Sequence, residues 1–458
     1  MRKRIHIRIT LLLLLLLFGC EKNLAVHTAN SNNDDIAGDF KVLWGEKMGV
    51  PEKRFLFGPT KPLVNAKFEV TRFGDFSGES VNGNTKSIAE MIMNKAEADL
   101  IFFDSRMLPL LIETDFLEPL DVYMDSALFN LSEFQSDLIS NIQHASPSGK
   151  MYALPYARNV YALFYNKDLF SVSNVPYPQD GMTWDEVVAL ARQFQDKNVV
   201  GLDFSSYQQI ASQLNIQLID EENNRVSTDS PELEQMYQMM TDAPFPLMEG
   251  ETLYEEDGFR SFNKGKVAMI AGGLYEHGAG VGFKHSVGYF DGNGMALGDR
   301  INWDVVTYPV LDSSDPVAPV SMKFLVGIPS TSKQKEKAFR VMKYLLSNDI
   351  QMQNVKNGLA TVLTLEGMQQ QLGADQVSFE GVHTQAFFPG YREGALEQAF
   401  DTKNIFLNGE FYVMLKIKNE FMKAIRKEAE KHLKKMAEFK LQWKSENNSE
   451  SEMGIGGD

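Results

Sequence analysis

Residues 152–170 read YALPYARNVYALFYNKDLF, with four tyrosines (Tyr152, Tyr156, Tyr161, Tyr165) and an arginine–asparagine pair at Arg158 and Asn159. From Tyr161 the pattern has a period of two. Tyr161, Leu163 and Tyr165 point one way and Ala162, Phe164 and Asn166 the other, which predicts a β-strand over 161–166. Asn166-Lys167-Asp168 then reads as the strand's end and a turn. The stretch is either an aromatic core or one wall of a ligand site, and the chain around it has to decide.

Strand-like and helix-like runs alternate on either side. FKVLW (40–44), KFEVTRF (67–73), a helix near 86–97 and ADLIFF (98–103) precede it, an order that favours an α/β architecture with parallel strands. Behind it, Thr183 and Glu186 form a T-x-x-E capping box, with Val187, Val188, Leu190, Ala191 and Phe194 at helical spacing. VAMI (267–270), WDVVTYP (303–309) and FLVGIP (324–329) read as further strands. After the last of these, Thr331 and Gln334 are expected to cap a helix whose apolar face is Ala338, Phe339, Met342, Leu345 and Leu346. A long Lys-rich amphipathic helix is expected over 411–443, then a polar tail at 446–458 with the composition of disorder.

The amino terminus is built differently. Arg2, Lys3, Arg4 and Arg8 precede an unbroken apolar run from Leu11 to Phe18, too short to span a bilayer and typical of a secretory signal. Leu17-Phe18-Gly19-Cys20 resembles a bacterial lipobox, which implies a signal peptide over 1–19 and lipid on Cys20, the chain's only cysteine. Residues 20–37 then form a lipidated start and a flexible tether. The mature chain would hold no disulfide, so its fold rests on packing.

At 458 residues and 43% hydrophobic content the chain is long enough for two or three domains. With the four leader basics removed, 41 Lys and Arg face 61 Asp and Glu, a net charge of −20 that argues against nucleic acid or an anionic membrane surface as partner. The P-loop, H-E-x-x-H and G-x-S-x-G signatures are absent. Ser330-Thr331-Ser332-Lys333 matches S-x-x-K, but no K-T-G follows. Asp291, Asn293 and Asp299 fit a glycine-rich turn better than a calcium loop, because Met295 stands where an oxygen ligand belongs. No cofactor and no metal is expected.

Eight motifs in series carry a specific resemblance: ADLIFFDSR (98–106), LIETDFLEPLD (111–121), SGKMYALPY (148–156), LFYNKDLF (163–170), MTWDEVVALA (182–191), FNKGKVAMIAGG (262–273), WDVVTYP (303–309) and FLVGIPSTSKQKEKAFRVMKYLLSN (324–348). In this order they resemble the carbohydrate-binding class of extracellular solute-binding proteins of ABC importers, the family that includes maltose-binding proteins, and most of all its Gram-positive lipoprotein members. The resemblance implies a two-lobed α/β fold of the periplasmic-binding-protein type II class, with mixed sheets, helices on both faces and a ligand cleft between the lobes. It implies lobe 1 over 38–157 and 312–360 and lobe 2 over 158–311 and 361–445, so that the quoted stretch crosses a hinge.

The same resemblance implies a sugar ligand, ABC permease subunits with a cytoplasmic ATPase as partners, membrane contact through the lipid alone, and a monomer. Carried over position by position, Arg158 and Asn159 fall at the hinge. Phe103, Asp104 and Arg106 follow a strand that holds an aromatic and a charged contact, and Tyr275 takes the place of a stacking tryptophan. Tyr156 and Tyr161 are candidates too, since tyrosine offers a sugar both a hydroxyl and an apolar ring face. Tyr152, Phe164, Trp184 and Trp303 are expected in the core. Two other classes stay open: a secreted glycan-degrading enzyme using carboxylates such as Asp104 and Glu276, and an accessory that presents solute to a membrane kinase.

Overall fold

A computed structural model describes residues 36–45, 65–74, 86–195, 199–204, 208–220, 223–242, 262, 265–274, 301–319, 323–376, 379–393 and 418–453. Cys20, Tyr275, Glu276 and the glycine-rich turn at 291–299 lie outside them.

Alternating apolar runs become strands β1 (Gly38–Gly45), β2 (Ala66–Gly74), β3 (Lys86–Ser87), β4 (Leu100–Asp104) and β5 (Ala153–Arg158). Helices α1 (Ile88–Met93), α2 (Leu108–Glu113), α3 (Asp121–Ser126) and α4 (Ser136–His144) lie between them. Helix α1 is shorter than its pattern suggests, since Asn94 closes it and Lys95 turns into the left-handed region at φ 45°. The chain continues through β6 (Tyr161–Asn166), α5 (Lys167–Ser173), α6 (Trp184–Ala191), β7 (Val200–Phe204) and α7 (Gln208–Gln213). Next come β8 (Ile219–Asp220), β9 (Arg225–Val226), α8 (Pro231–Asp242), β10 (Val267–Gly273) and β11 (Trp303–Thr307). Last are β12 (Val317–Ala318), β13 (Lys323–Gly327), α9 (Lys335–Leu345), α10 (Asn348–Lys356), β14 (Arg392–Glu393) and α11 (Lys418–Met453).

Two mixed sheets form the spines of two lobes. The first has the order β3-β2-β1-β4-β13-β5 and the second β11-β6-β10-β7. Strands β1, β2, β3 and β4 run parallel, whereas β13 is antiparallel to both neighbours because it enters from the other lobe. The period of two read in 161–166 is realised with both faces buried. Tyr161, Leu163 and Tyr165 join one apolar cluster with Trp184 and Val187 of α6, while Ala162 and Phe164 join the cluster that fills the first lobe. Phe164 packs on Trp303 (5.8 Å between centroids) and edge-on against Phe387 (5.7 Å), so Phe164, Trp184 and Trp303 are core as expected, with Tyr152 half-buried.

Of three local expectations, the first is met in full. The Thr183–Glu186 capping box forms in full: Thr183 Oγ1 accepts from the Glu186 amide, and Glu186 accepts from the Thr183 amide at 2.8 Å. Thr331 does not cap α9. Buried Asp99 draws this segment inward, accepting from Ser332 Oγ (2.9 Å) and Gln334 Nε2 (3.0 Å), while Thr331 Oγ1 donates to the Ala96 carbonyl. The C-terminal helix runs through residues 446–453, which composition assigned to the tail, with Gln442 donating to Glu446 one turn on.

Tyr156 is fully buried in the first lobe, edge-on to Phe102 (5.6 Å), with its hydroxyl accepting from Asn354 Nδ2 at 3.3 Å. Burial pushes its pKa far above the usual 10, and the Asn354 hydrogen bond pulls the other way without reversing it. A raised folded pKa means this contribution to stability is intact below about pH 10 and is lost as pH rises toward the folded value, by up to about 1.4 kcal/mol per unit. Tyr156→Phe should therefore cost about 1 kcal/mol at neutral pH and flatten the alkaline limb of the stability curve, both read from urea unfolding between pH 7 and 11.

Candidate functional site

The two spines are joined where β5 ends and β6 begins, through Arg158, Asn159 and Val160. Strands β1, β2 and β4 present their C-terminal ends at this edge of the first sheet, as β7, β10 and β11 do in the second, and the junction lies between them. The carboxyl ends of strands are where open α/β sheets bind ligands, because the loops there can vary while the spine stays fixed.

On the first-lobe side, Asp104 closes β4. It is buried, accepts the Arg106 amide at 2.8 Å and receives Arg106 Nε on both carboxylate oxygens (2.9 and 2.8 Å), with the Arg106 Nη2 also in contact. Asp104 lies opposite Phe324, and Phe324 opposite Ala157. One strand thus separates the Asp104–Arg106 pair from the end of β5, roughly 10 Å by sheet spacing. Phe103, one residue earlier, is wholly in the core.

Arg158 turns away from the second sheet. Its Nη1 donates to Gln135 Oε1, its guanidinium lies 6.0 Å from the Phe388 ring centroid, and its backbone pairs with Ala360. Gln135 Nε2 in turn lies within reach of the Thr361 and Leu363 carbonyls (3.4 and 3.5 Å), and the Gln135 amide donates to Val362. Past this point Phe379 and Phe387 pack on Trp303 and Phe164 of the second lobe. The arginine therefore ties the first passage between the lobes to a later one at 359–363.

Asn159 faces the other way. It is fully buried, and a Cβ placed on Gly273, the last residue of β10, would stand 2.2 Å from its Nδ2. Gly273 is also the register partner of Tyr161, and the Leu274 amide donates to the Val160 carbonyl at 2.8 Å. Asn159, Tyr161 and Gly273 are thus one packed unit, with Tyr275 two residues beyond Gly273 in sequence. The Tyr161 ring meets Tyr308 edge-on (6.0 Å), and Tyr308 meets Trp184 (5.5 Å).

That aromatic row leads to the second passage, and a glutamine that no sequence motif marks holds it. Gln213, at the end of α7, is buried, accepts from Trp184 Nε1 (3.0 Å) and donates to the Pro309 (2.8 Å) and Val317 (2.7 Å) carbonyls. Gln351 of α10 does the same near the first passage, donating to the Tyr156 carbonyl (3.1 Å) and accepting from Thr361 Oγ1 (3.1 Å). Single glutamines on short helices carry no spacing signal, because their partners lie far away in the chain.

The geometry offers hydrogen-bonding groups and aromatic faces, with no activated nucleophile in the one motif that suggested it. Ser330 Oγ donates to the Asp115 carbonyl, and Lys333 Nζ pairs with Glu97 at 3.1 Å. Among the described residues no group of three or more His, Cys, Asp or Glu side chains is placed to hold a metal ion. No helix among them is long and apolar enough to cross a membrane.

Residues 75–352 match the family described as bacterial extracellular solute-binding protein. The chain belongs to this family. A binding protein of Brucella abortus (strain 2308) is 25% identical over 274 residues, which are 55% of this chain, and one of Brucella suis biovar 1 (strain 1330) matches equally; the chain spans 59% of the length of these curated relatives. Among solved structures, the ABC substrate-binding protein of Listeria monocytogenes in complex with cycloalternan superposes with a TM-score of 0.62 at 18% identity, covering 88% of this chain and 100% of that one. Maltose-bound MalE3 of T. maritima gives 0.57 at 19%, covering 86% and 99%. A Thermotoga lettingae solute-binding protein with α-D-tagatose gives 0.58 at 19%, covering 87% and 100%. The fold is the two-lobed one these proteins share.

Proposed function

We propose that the protein is a lipid-anchored extracytoplasmic solute-binding protein that captures a carbohydrate by hinge closure and hands it to an ABC importer. What supports this reading is the family match over residues 75–352, together with strand ends that carry Asp104 and Arg106 on one side of the 158–160 passage and Asn159 and Tyr161 on the other. A sugar needs paired donors and acceptors for its hydroxyls and a flat face for its C–H surface, and carboxylate, guanidinium, carboxamide and phenol supply them. Tyr275, close behind Gly273, is proposed as the stacking ring. Phe103 and Tyr156 support these groups from the core, and Arg158 sets the passage.

In this reading lobe 1 comprises 38–157 and 312–360 and lobe 2 comprises 158–311 and 361–445, with lipid on Cys20, a permease pair and ATPase as partners, and a monomeric protein. Closure requires no bond-making; a solute that touches both lobes stabilises the closed state by its differential contacts. The test is a thermal-shift screen of the purified chain over neutral and acidic oligosaccharides. One class should raise the melting temperature by a few degrees, and the shift should disappear in Asn159→Ala and Arg106→Ala. Release of reducing sugar during the incubation, or a hit that both variants retain, would count against it.

A further inference from the structure

Helix α11 is 36 residues long, about 54 Å at the usual rise, and its apolar stripe is divided between two cores. Phe421, Ile425, Ala429 and Leu433 lie in the second-lobe cluster with Tyr237 of α8. Met436 and Phe439, continuing the same stripe, leave that cluster and join the one that contains Leu108, Leu110 and Leu111 of α2, with Trp443 half-buried against it. The polar contacts divide in the same place. Lys418 pairs with Glu234 of α8 and Arg426 donates to Thr228 Oγ1 (2.6 Å), both in the second lobe, whereas Lys440 pairs at 2.9 Å with Glu113, the last residue of α2 in the first.

We infer that α11 is a strap across the two lobes that limits their rotation and lets go at its first-lobe end. A continuous helix is stiff over the roughly 28 Å from Phe421 to Lys440, so the lobes cannot turn about the passages unless one set of contacts slips. The second-lobe end is held by four buried apolar side chains, three of them with no exposure. Among the described residues, the first-lobe end packs two buried side chains and one half-buried ring, and the ion pair there has members 28% and 40% exposed, where solvent screens the attraction. The weaker end yields first, between Leu433 and Met436. This inference needs two lobes that move and is independent of which solute, if any, they enclose.

Spin labels at Val122 of α3 and Val172 of α5, which are 73% and 88% exposed and lie on different lobes, report the separation without any ligand when Cys20 is replaced by serine. The full chain should give one narrow distance distribution by double electron–electron resonance. Phe439→Asp, Lys440→Glu and a chain ending at Lys435 should each broaden it toward longer distances, the truncation roughly doubling its width. The two point variants keep the test open if the truncated chain fails to unfold cooperatively. Superimposable distributions in the full chain and both point variants would overturn the strap.

Discussion

Gln213→Leu is expected to destabilise the protein by on the order of 4 kcal/mol, a large part of the stability a domain has. Leucine fills the space but leaves the Pro309 and Val317 carbonyls without their donor and Trp184 Nε1 without its acceptor, all in a buried setting. Each abandoned group costs about 1–3 kcal/mol because water cannot replace the lost partner. Gln213→Glu should fare no better, since a carboxylate can serve the indole N–H but gives nothing to two carbonyls and brings a buried charge. Urea unfolding measures both; a midpoint within experimental error of the wild type in Gln213→Leu would mean that the passage at 309–317 is not held by this side chain.

Gly273→Ala is the second large effect, and it is a test of coupling. The new methyl would stand 2.2 Å from Asn159 Nδ2 and 2.8 Å from its Cγ. Asn159 has no exposed surface into which to swing, so the strain should appear as about 1–3 kcal/mol of lost stability. Removing the carboxamide as well should return part of it. In the Asn159→Ala, Gly273→Ala double variant the expected coupling is about 1–3 kcal/mol, with the double variant more stable than Gly273→Ala alone. Strict additivity would show that the two residues do not share the space the structure gives them. Both single variants should also abolish a solute-induced thermal shift, because Gly273→Ala displaces the carboxamide that Asn159→Ala removes.

Much of this architecture is written locally. The period of two in YALFYN, the T-x-x-E before α6 and the apolar spacing of α9 each depend on neighbours in the chain, and each forms as the spacing requires. The order of the eight motifs does the rest for the family, while the insertion of β13 between β4 and β5 is a long-range pairing that no local spacing announces. The site is less legible. Arg158 and Asn159 are adjacent in sequence, yet a strand end sends them to opposite sides, one to Gln135 and the other over Gly273. The Thr331 cap fails for a related reason: Asp99, distant in sequence, competes for the segment, and no local pattern announces a buried carboxylate. Gln135, just before α4, and Gln213 and Gln351, on short helices, carry no local signal because an isolated glutamine looks the same whether it faces water or holds distant chain segments together.

Those glutamines have one more property. The joints between the lobes are fastened by carboxamides on backbone carbonyls, an arginine, and a tyrosine whose proton stays on well beyond neutrality. None of these side chains changes charge near neutrality, so a mildly acidic medium leaves these particular fastenings as they are.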